Sequence, residues 1–322
     1  MQVTAQQKVQ ITQLIGSEIG RLGSQSNVAR KCGVSDATIS QIRKGEYKID
    51  GDDMFLKVGQ ALGYKFNDDA WTLVETSNAR IINQTLIDAK DMGLWKAISH
   101  RAGSGKTATT KAYERQNAQF QVYRLACREW GKRQFLLELA KLVGLDISRR
   151  PLSQIDLIIS DLTEYFNQRS VLKPLLIIDE GDKLKPAAFR SLIPIFNECE
   201  GSLGVVILGT DNLKVEIMNG VRHNRKGYDE LASRFSRTFI NLLGATFNDV
   251  KLIAKANGIT NEGAIKKIFK ECEPRTVTIG GILIEIVDDL RRVKQVVKRE
   301  KLMQTMDNGQ GTTDNKQTPT NN

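Results

Sequence analysis

The stretch ISHRAGSGKTATT, residues 98–110, constrains this chain more than any other. It approaches the phosphate-binding pattern Gly-x-x-x-x-Gly-Lys-[Ser/Thr], with Gly105, Lys106 and Thr107 in place and His100 where the leading glycine belongs. Such a loop works only between a strand and a helix, because the backbone N–H groups of the turn and of the first helical turn must converge on one anion. The spacing therefore predicts a strand over 94–99, a loop over 100–106 and a helix from Thr107. In this setting Ala102, Gly103, Ser104, Gly105, Lys106, Thr107 and Ala108 are the expected nucleotide-binding residues. Lys106 is expected to reach the β- and γ-phosphates, and the Thr107 hydroxyl to ligate Mg²⁺.

A phosphate loop needs a partner. PLLIIDEGDKL, 174–184, supplies an apolar strand that ends in Asp179 and Glu180. Asp179 is expected to hold Mg²⁺ through water, and Glu180 to polarise the attacking water. A further strand, GVVILG at 204–209, ends in Thr210-Asp211-Asn212. A polar residue at that tip would face the γ-phosphate; Thr210 is preferred, with Asn212 second. ELASRFSRT, 230–238, then places Arg234 and Arg237 before a last strand at 238–242, where either could reach a neighbouring subunit's nucleotide. Arg275, in CEPRTV, is expected to open the last long helix and to contact the γ-phosphate. With a strand at 120–126, these five strands alternate with helical stretches over 93–245, the pattern of an α/β sheet domain.

The flanks differ. Residues 1–68 read as helices, from the spacing of Ile11, Leu14, Ile15, Ile19 and Leu22 and of Met54, Phe55, Val58 and Leu62. Within them SNVARKCGVSDATISQIRKGE, 26–46, reads as helix, tight turn, helix. Ser26 and Ser35 are candidate caps, and Gly33 makes the turn. Val28, Ala29, Cys32, Ile39 and Ile42 point inward. This resembles the helix-turn-helix of phage repressors. Ser35, Thr38, Ser40 and Gln41 would face base edges, and Arg43 and Lys44 would reach phosphates of double-stranded DNA. Residues 69–92 read as a linker and lead-in helix, 246–300 as a helical lid and 301–322 as a polar, disordered tail.

Composition fits these motifs and excludes other classes. A formal net charge of +10, from 47 Lys+Arg against 37 Asp+Glu, favours a polyanionic partner. Two histidines make a His-based metal cluster or a Ser-His-Asp relay improbable, and four scattered cysteines argue against zinc and disulfide scaffolds. The chain lacks a signal-peptide core and an apolar run of the roughly 18 residues a span needs, so a cytoplasmic protein with no membrane partner is expected.

The order of parts resembles the AAA+ ATPases: phosphate loop, acid pair, polar strand tip, arginine finger and helical lid. That family implies a parallel sheet of order 5-1-4-3-2, ATP and Mg²⁺ as cofactors, and homo-oligomers with sites between subunits. The preceding helix-turn-helix and the lead-in LVETSNARIINQTLIDAKDMGLWKAI, 73–98, narrow the likeness to the phage Mu B family of transposition ATPases. The resemblance implies ATP-dependent helical filaments on DNA, a transposase partner, and Gly105, Lys106, Thr107, Asp179 and Glu180 at the ATP site. DNA contact by the ATPase is then expected from basic loops: Arg128, Lys132 and Arg133 first, Lys183 and Lys185 or residues 221–227 second. A transcription regulator with an ATPase switch, a helicase loader and a non-hydrolysing binding module are the alternatives.

Overall fold

The computed structural model describes residues 3, 5–47, 52–64, 71–146 and 155–310. It opens with four helices, α1 (Ala5–Leu22), α2 (Gln25–Cys32), α3 (Asp36–Lys44) and α4 (Asp52–Ala61). Helix α5 (Ser77–Met92) leads into β1 (Trp95–Ser99) and α6 (Lys106–Gln116). Then follow β2 (Val122–Ala126), α7 (Lys132–Leu142), α8 (Ile155–Asn167), β3 (Leu175–Asp179) and α9 (Pro186–Cys199). β4 (Gly204–Gly209), α10 (Asp211–Arg222), α11 (Tyr228–Arg234) and β5 (Phe239–Ile240) complete the sheet region. The remaining elements are β6 (Ala245–Thr246), α12 (Phe247–Ala256), α13 (Glu262–Glu271), β7 (Arg275–Ile279), β8 (Ile282–Val287) and α14 (Leu290–Gln310).

Five strands form one sheet of order β2-β3-β4-β1-β5, with every neighbouring pair parallel. Read from the other edge, this is the 5-1-4-3-2 order that the resemblance implied. β3 and β4 are buried along their whole length and read as continuous apolar runs, as strands covered on both faces do. The last strand is shorter than the sequence suggested, two residues rather than five.

The described residues form two compact units. One holds those within 1–68, 81–100 and 106–242; the other holds those within 69–80, 101–105 and 243–310. In the first, the N-terminal helices and one face of the sheet share a single apolar core, from Ile11, Ile15, Val28 and Ile39 to Phe135, Leu176 and Phe235. A fully buried Ile, Leu or Phe side chain contributes about 1.5–3 kcal/mol relative to leaving it exposed, so the shared core holds these helices to the sheet. The opposite face packs Ile82, Leu86 and Ala89 of α5 against Ile98, Leu175, Ile177 and Val206.

A polar contact reinforces this attachment. Arg21, wholly buried on α1, donates to the backbone oxygen of Val122 at 2.9 Å and lies over the Tyr123 ring at 4.8 Å. Its charge is met by Glu18 through two hydrogen bonds of 2.9 and 2.6 Å, and Lys31 of α2 closes on the same carboxylate at 2.8 Å. Burial alone would push Glu18 up, but Arg21 and Lys31 outweigh it and hold the carboxyl below its ordinary range.

The second unit departs from the expected run of helices. Residues 275–287 form a β-hairpin, and β6-β8-β7 make an antiparallel sheet. The segment RTVTIGGILIEIV alternates apolar and polar residues around Gly280-Gly281, both at positive φ, which is hairpin chemistry that a helical reading passes over. Helices α12, α13 and α14 pack around Val250, Ile253, Ile265, Phe269, Val293 and Val297, with Trp71 and Val74 against them. α14 runs on through Gln310, into the stretch read as tail; 311–322 lie outside the described residues. Among the described residues no helix is long and apolar enough to cross a membrane.

Candidate nucleotide and nucleic-acid sites

The loop between β1 and α6 has the conformation its glycines permit. Gly103 and Gly105 take φ of 84° and 91°, where a side chain is strained. A Cβ on Gly103 would lie 2.2 Å from Asp289 Oδ1. Leu290 N donates to Gly103 O at 2.9 Å, and the buried Asn78 donates to Ser104 O at 3.3 Å. Ala102 is exposed, Ser104 is buried, and Thr107 and Ala108 lie in the first turn of α6, half-buried and exposed. Lys106 is only 9 % exposed, and its Nζ donates to His100 O at 2.6 Å. His100 thus serves the lysine through its carbonyl, which any residue in the leading position would offer, and its N–H continues the β1–β4 ladder to Gly209 O at 3.3 Å.

Asp179 ends β3 with its carboxylate 2 % exposed. Oδ1 accepts the Glu180 N–H at 3.0 Å, and Oδ2 is bound by the Arg124 guanidinium. Arg124 Nε donates to Thr110 Oγ1 of α6 at 3.1 Å. The sequence reading missed Arg124. Cys127, just past β2, is buried near Asp179, and burial pushes its thiol up.

Glu180 is left-handed, φ 56°, which turns the chain sharply after the strand. Its half-exposed carboxylate accepts from Lys183 Nζ at 2.8 Å. Thr210 caps α10 through Asn212 N and donates to Asp182 Oδ2 at 2.6 Å. Its hydroxyl therefore faces Asp182, a third acid of this segment, which the sequence reading left out.

The arginines are all engaged. Arg234 lies over the Phe196 ring at 4.5 Å and donates to Asn197 and Glu230. Arg237, left-handed at φ 51° and exposed, pairs with Asp229 at 2.8 Å. Arg275 corrects the expectation: it begins β7 instead of a helix, and makes a two-bond pair with Asp288, which Arg101 also joins at 3.1 Å.

In the N-terminal region the helix–turn–helix forms, with one change of cap. Ser24, not Ser26, accepts from Asn27 N, so α2 starts two residues earlier than Ser26 would allow. Ser35 caps α3 through Thr38 N, and Gly33 and Gly45 close both helices at positive φ. Ile39 and Ile42 are buried; Ser35, Gln41, Arg43 and Lys44 are exposed, Thr38 and Ser40 half-buried. Arg43 donates to Gln25 at 3.2 Å. In the first basic loop Arg128 and Arg133 are exposed, and Lys132 pairs with Asp156 at 3.2 Å. Lys183 is held by Glu180.

Residues 98–215 match the family model described as AAA domain. This stretch is an AAA-type domain. The AAA domain runs from the end of β1 into α10 and contains the loop, the acid pair and Thr210. It supports an ATPase of the AAA+ type and implies nucleotide binding. The comparison with curated proteins finds no match for the chain.

The donor set suits the cofactor such a domain implies. Thr107 offers a hydroxyl and Asp179 a carboxylate, both hard oxygen donors of the kind Mg²⁺ takes. Among the described residues no group of three or more His, Cys, Asp or Glu side chains is arranged to hold a metal ion. Mg²⁺ carried by a nucleotide needs none, because phosphate oxygens and water supply most of its shell.

Proposed function

We propose that the chain is a Mg²⁺-dependent ATPase that binds double-stranded DNA, assembles on it as helical filaments and presents it to a transposase. One observation carries the DNA part of this reading. A fully capped helix–turn–helix with an exposed Gln41, Arg43 and Lys44 is packed into the same core as the AAA domain. The net charge of +10 agrees with a polyanionic partner. The transposase and the filament come from the likeness to the phage Mu B family.

In this mechanism the loop N–H groups and Lys106 bind the phosphates, and Thr107 and Asp179 hold Mg²⁺. When bound there, Mg²⁺ would supply positive charge to offset that of the phosphates. Glu180 leaves Lys183 to orient water for in-line attack, as the bond between the γ-phosphorus and the bridging oxygen breaks. Arg234 or Arg237 of a neighbouring copy, and Arg275 after release from Asp288, are the candidates to meet the charge of the transition state.

Negative-stain microscopy with random-sequence duplex DNA, with and without ATP, tests the reading. Filaments that require ATP are expected. Lys106→Ala should abolish ATP binding and filaments, while Glu180→Gln should bind ATP, fail to hydrolyse it and stay on DNA. Discrete particles on random DNA with one tight-binding sequence would overturn the filament reading in favour of a transcription regulator.

A further inference from the structure

The guanidinium of Arg124 is bound to the carboxylate expected to hold Mg²⁺. Arg124 stands in the middle of β2, with its side chain 8 % exposed, and reaches Asp179 of the adjacent β3. It takes Oδ2, while the Glu180 N–H takes Oδ1, so both carboxylate oxygens are held and the side chain's torsions are fixed. Arg124 is itself anchored at its other end. Its Nε–H donates to Thr110 Oγ1, and that hydroxyl donates to Lys106 O at 3.0 Å and shares Thr107 O at 3.3 Å. One side chain therefore links the acid strand to the first turn of the helix that carries Lys106 and Thr107.

We propose that Arg124 is a positioning residue for Mg²⁺, setting the Asp179 carboxylate relative to the Thr107 turn through Thr110. The proposal rests on the reading of the loop and Asp179 as an ATP·Mg²⁺ site. A cation so close to a metal ligand weakens the ligand's pull on Mg²⁺ by charge. A buried carboxylate that is free to rotate loses more, because the metal accepts few geometries. Groups that hydrogen-bond metal ligands are worth about 10–100-fold in metal affinity or activity in other sites. Arginine suits the task because its fork engages Asp179 and Thr110 at once, which a lysine's single ammonium does not do in the same geometry.

The test is a Mg²⁺ titration of fluorescent ATP-analogue binding to the full chain, beside the same binding in EDTA and a thermal melt. For Arg124→Met we expect the half-saturating Mg²⁺ concentration to rise about tenfold or more, with binding in EDTA unchanged. Arg124→Lys should fall between it and the wild type. Equal losses with Mg²⁺ and in EDTA, or an unmoved Mg²⁺ midpoint in a folded Arg124→Met, would overturn the proposal and leave Arg124 as a structural counter-ion. If Arg124→Met does not fold, Thr110→Val decides, since it removes only the anchor: a raised midpoint supports the proposal and an unmoved one overturns it. A wild-type chain that binds no nucleotide would overturn the reading of the site itself, and the proposal with it. A wild type that binds with unmoved variants would overturn the proposal alone.

Discussion

Glycine at position 103 shows how much one missing methyl group decides. Its φ of 84° is costly for any L-residue, and the place where a Cβ would go is taken by Asp289 Oδ1, whose carboxylate also accepts from Arg291 N at 2.8 Å. Gly33 has a similar φ of 63° but open space around its Cβ position. Gly33→Ala should cost only the torsional penalty, about 1–2 kcal/mol. Gly103→Ala should cost more and weaken nucleotide binding as well. Thermal melts of both variants compare them, and equal losses would show that Asp289 yields freely. At this scale the sequence was most informative where chemistry is local in the chain. Lys106, Thr107 and Asp179 stand in short patterns and were named from them. Arg124 was not, because VYRLA is an ordinary alternating strand and its partner lies 55 residues away. Asp182 was hidden differently: in DEGDKL two acids absorbed attention, and the third meets Thr210 only through the fold.

Elements were legible when their period and punctuation agreed. The five parallel strands were found within about two residues at every end, because apolar runs between turn signals admit few other readings. The β7–β8 hairpin was lost because helices on both sides carried the helical reading across Gly280-Gly281. α1 was recognised as a helix, but nothing in its sequence foretold that Arg21 would be its most deeply placed polar group. Glu18→Leu leaves that guanidinium buried without its carboxylate. It should cost about 3–5 kcal/mol in urea denaturation at pH 7, the range for breaking a buried pair. The pH dependence has a definite sign. The folded Glu18 carboxyl lies below its ordinary 4.5, so the pair's contribution is full above about that pH. It is lost as pH falls through the lowered value, and wild type and variant should converge there. A difference that persists in acid would mean packing, not charge, is responsible.

Over the whole molecule, the grouping of residues 1–68 with the sheet was the least accessible feature from sequence. A helix-turn-helix motif before an ATPase reads as a detachable reader, and composition gives no sign of which surfaces are covered. In the structure Val28, Ile39 and Ile42 belong to one core with Phe135 and Leu176, and Arg30 of α2 hydrogen-bonds the Gly144 carbonyl. A chain beginning at residue 69 should therefore melt at a lower temperature than the full chain and bind a hydrophobic dye. The full chain should lose its N-terminal helices and its sheet in one calorimetric transition for that unit. Two separate transitions, with an undisturbed melting temperature in the truncated chain, would show that the shared core contributes little.

The embedding of Arg21 against β2 has a further consequence. A reader on a flexible tether would search freely and bind wherever a site came within reach, its local concentration set by linker length. Here α3 has a fixed heading with respect to the sheet, like a key cut in one piece with its handle. On the proposed reading, copies stacked along a duplex would repeat α3 with the rotation and rise of the stack. These helices would meet the major groove together only where that repeat matched the helical turn of DNA, about 10–10.5 base pairs. Elsewhere along the stack the same helices would face the backbone or solvent. DNA preference would then be written in the phase between two helices, one of protein and one of DNA, as much as in any base that Gln41 would touch.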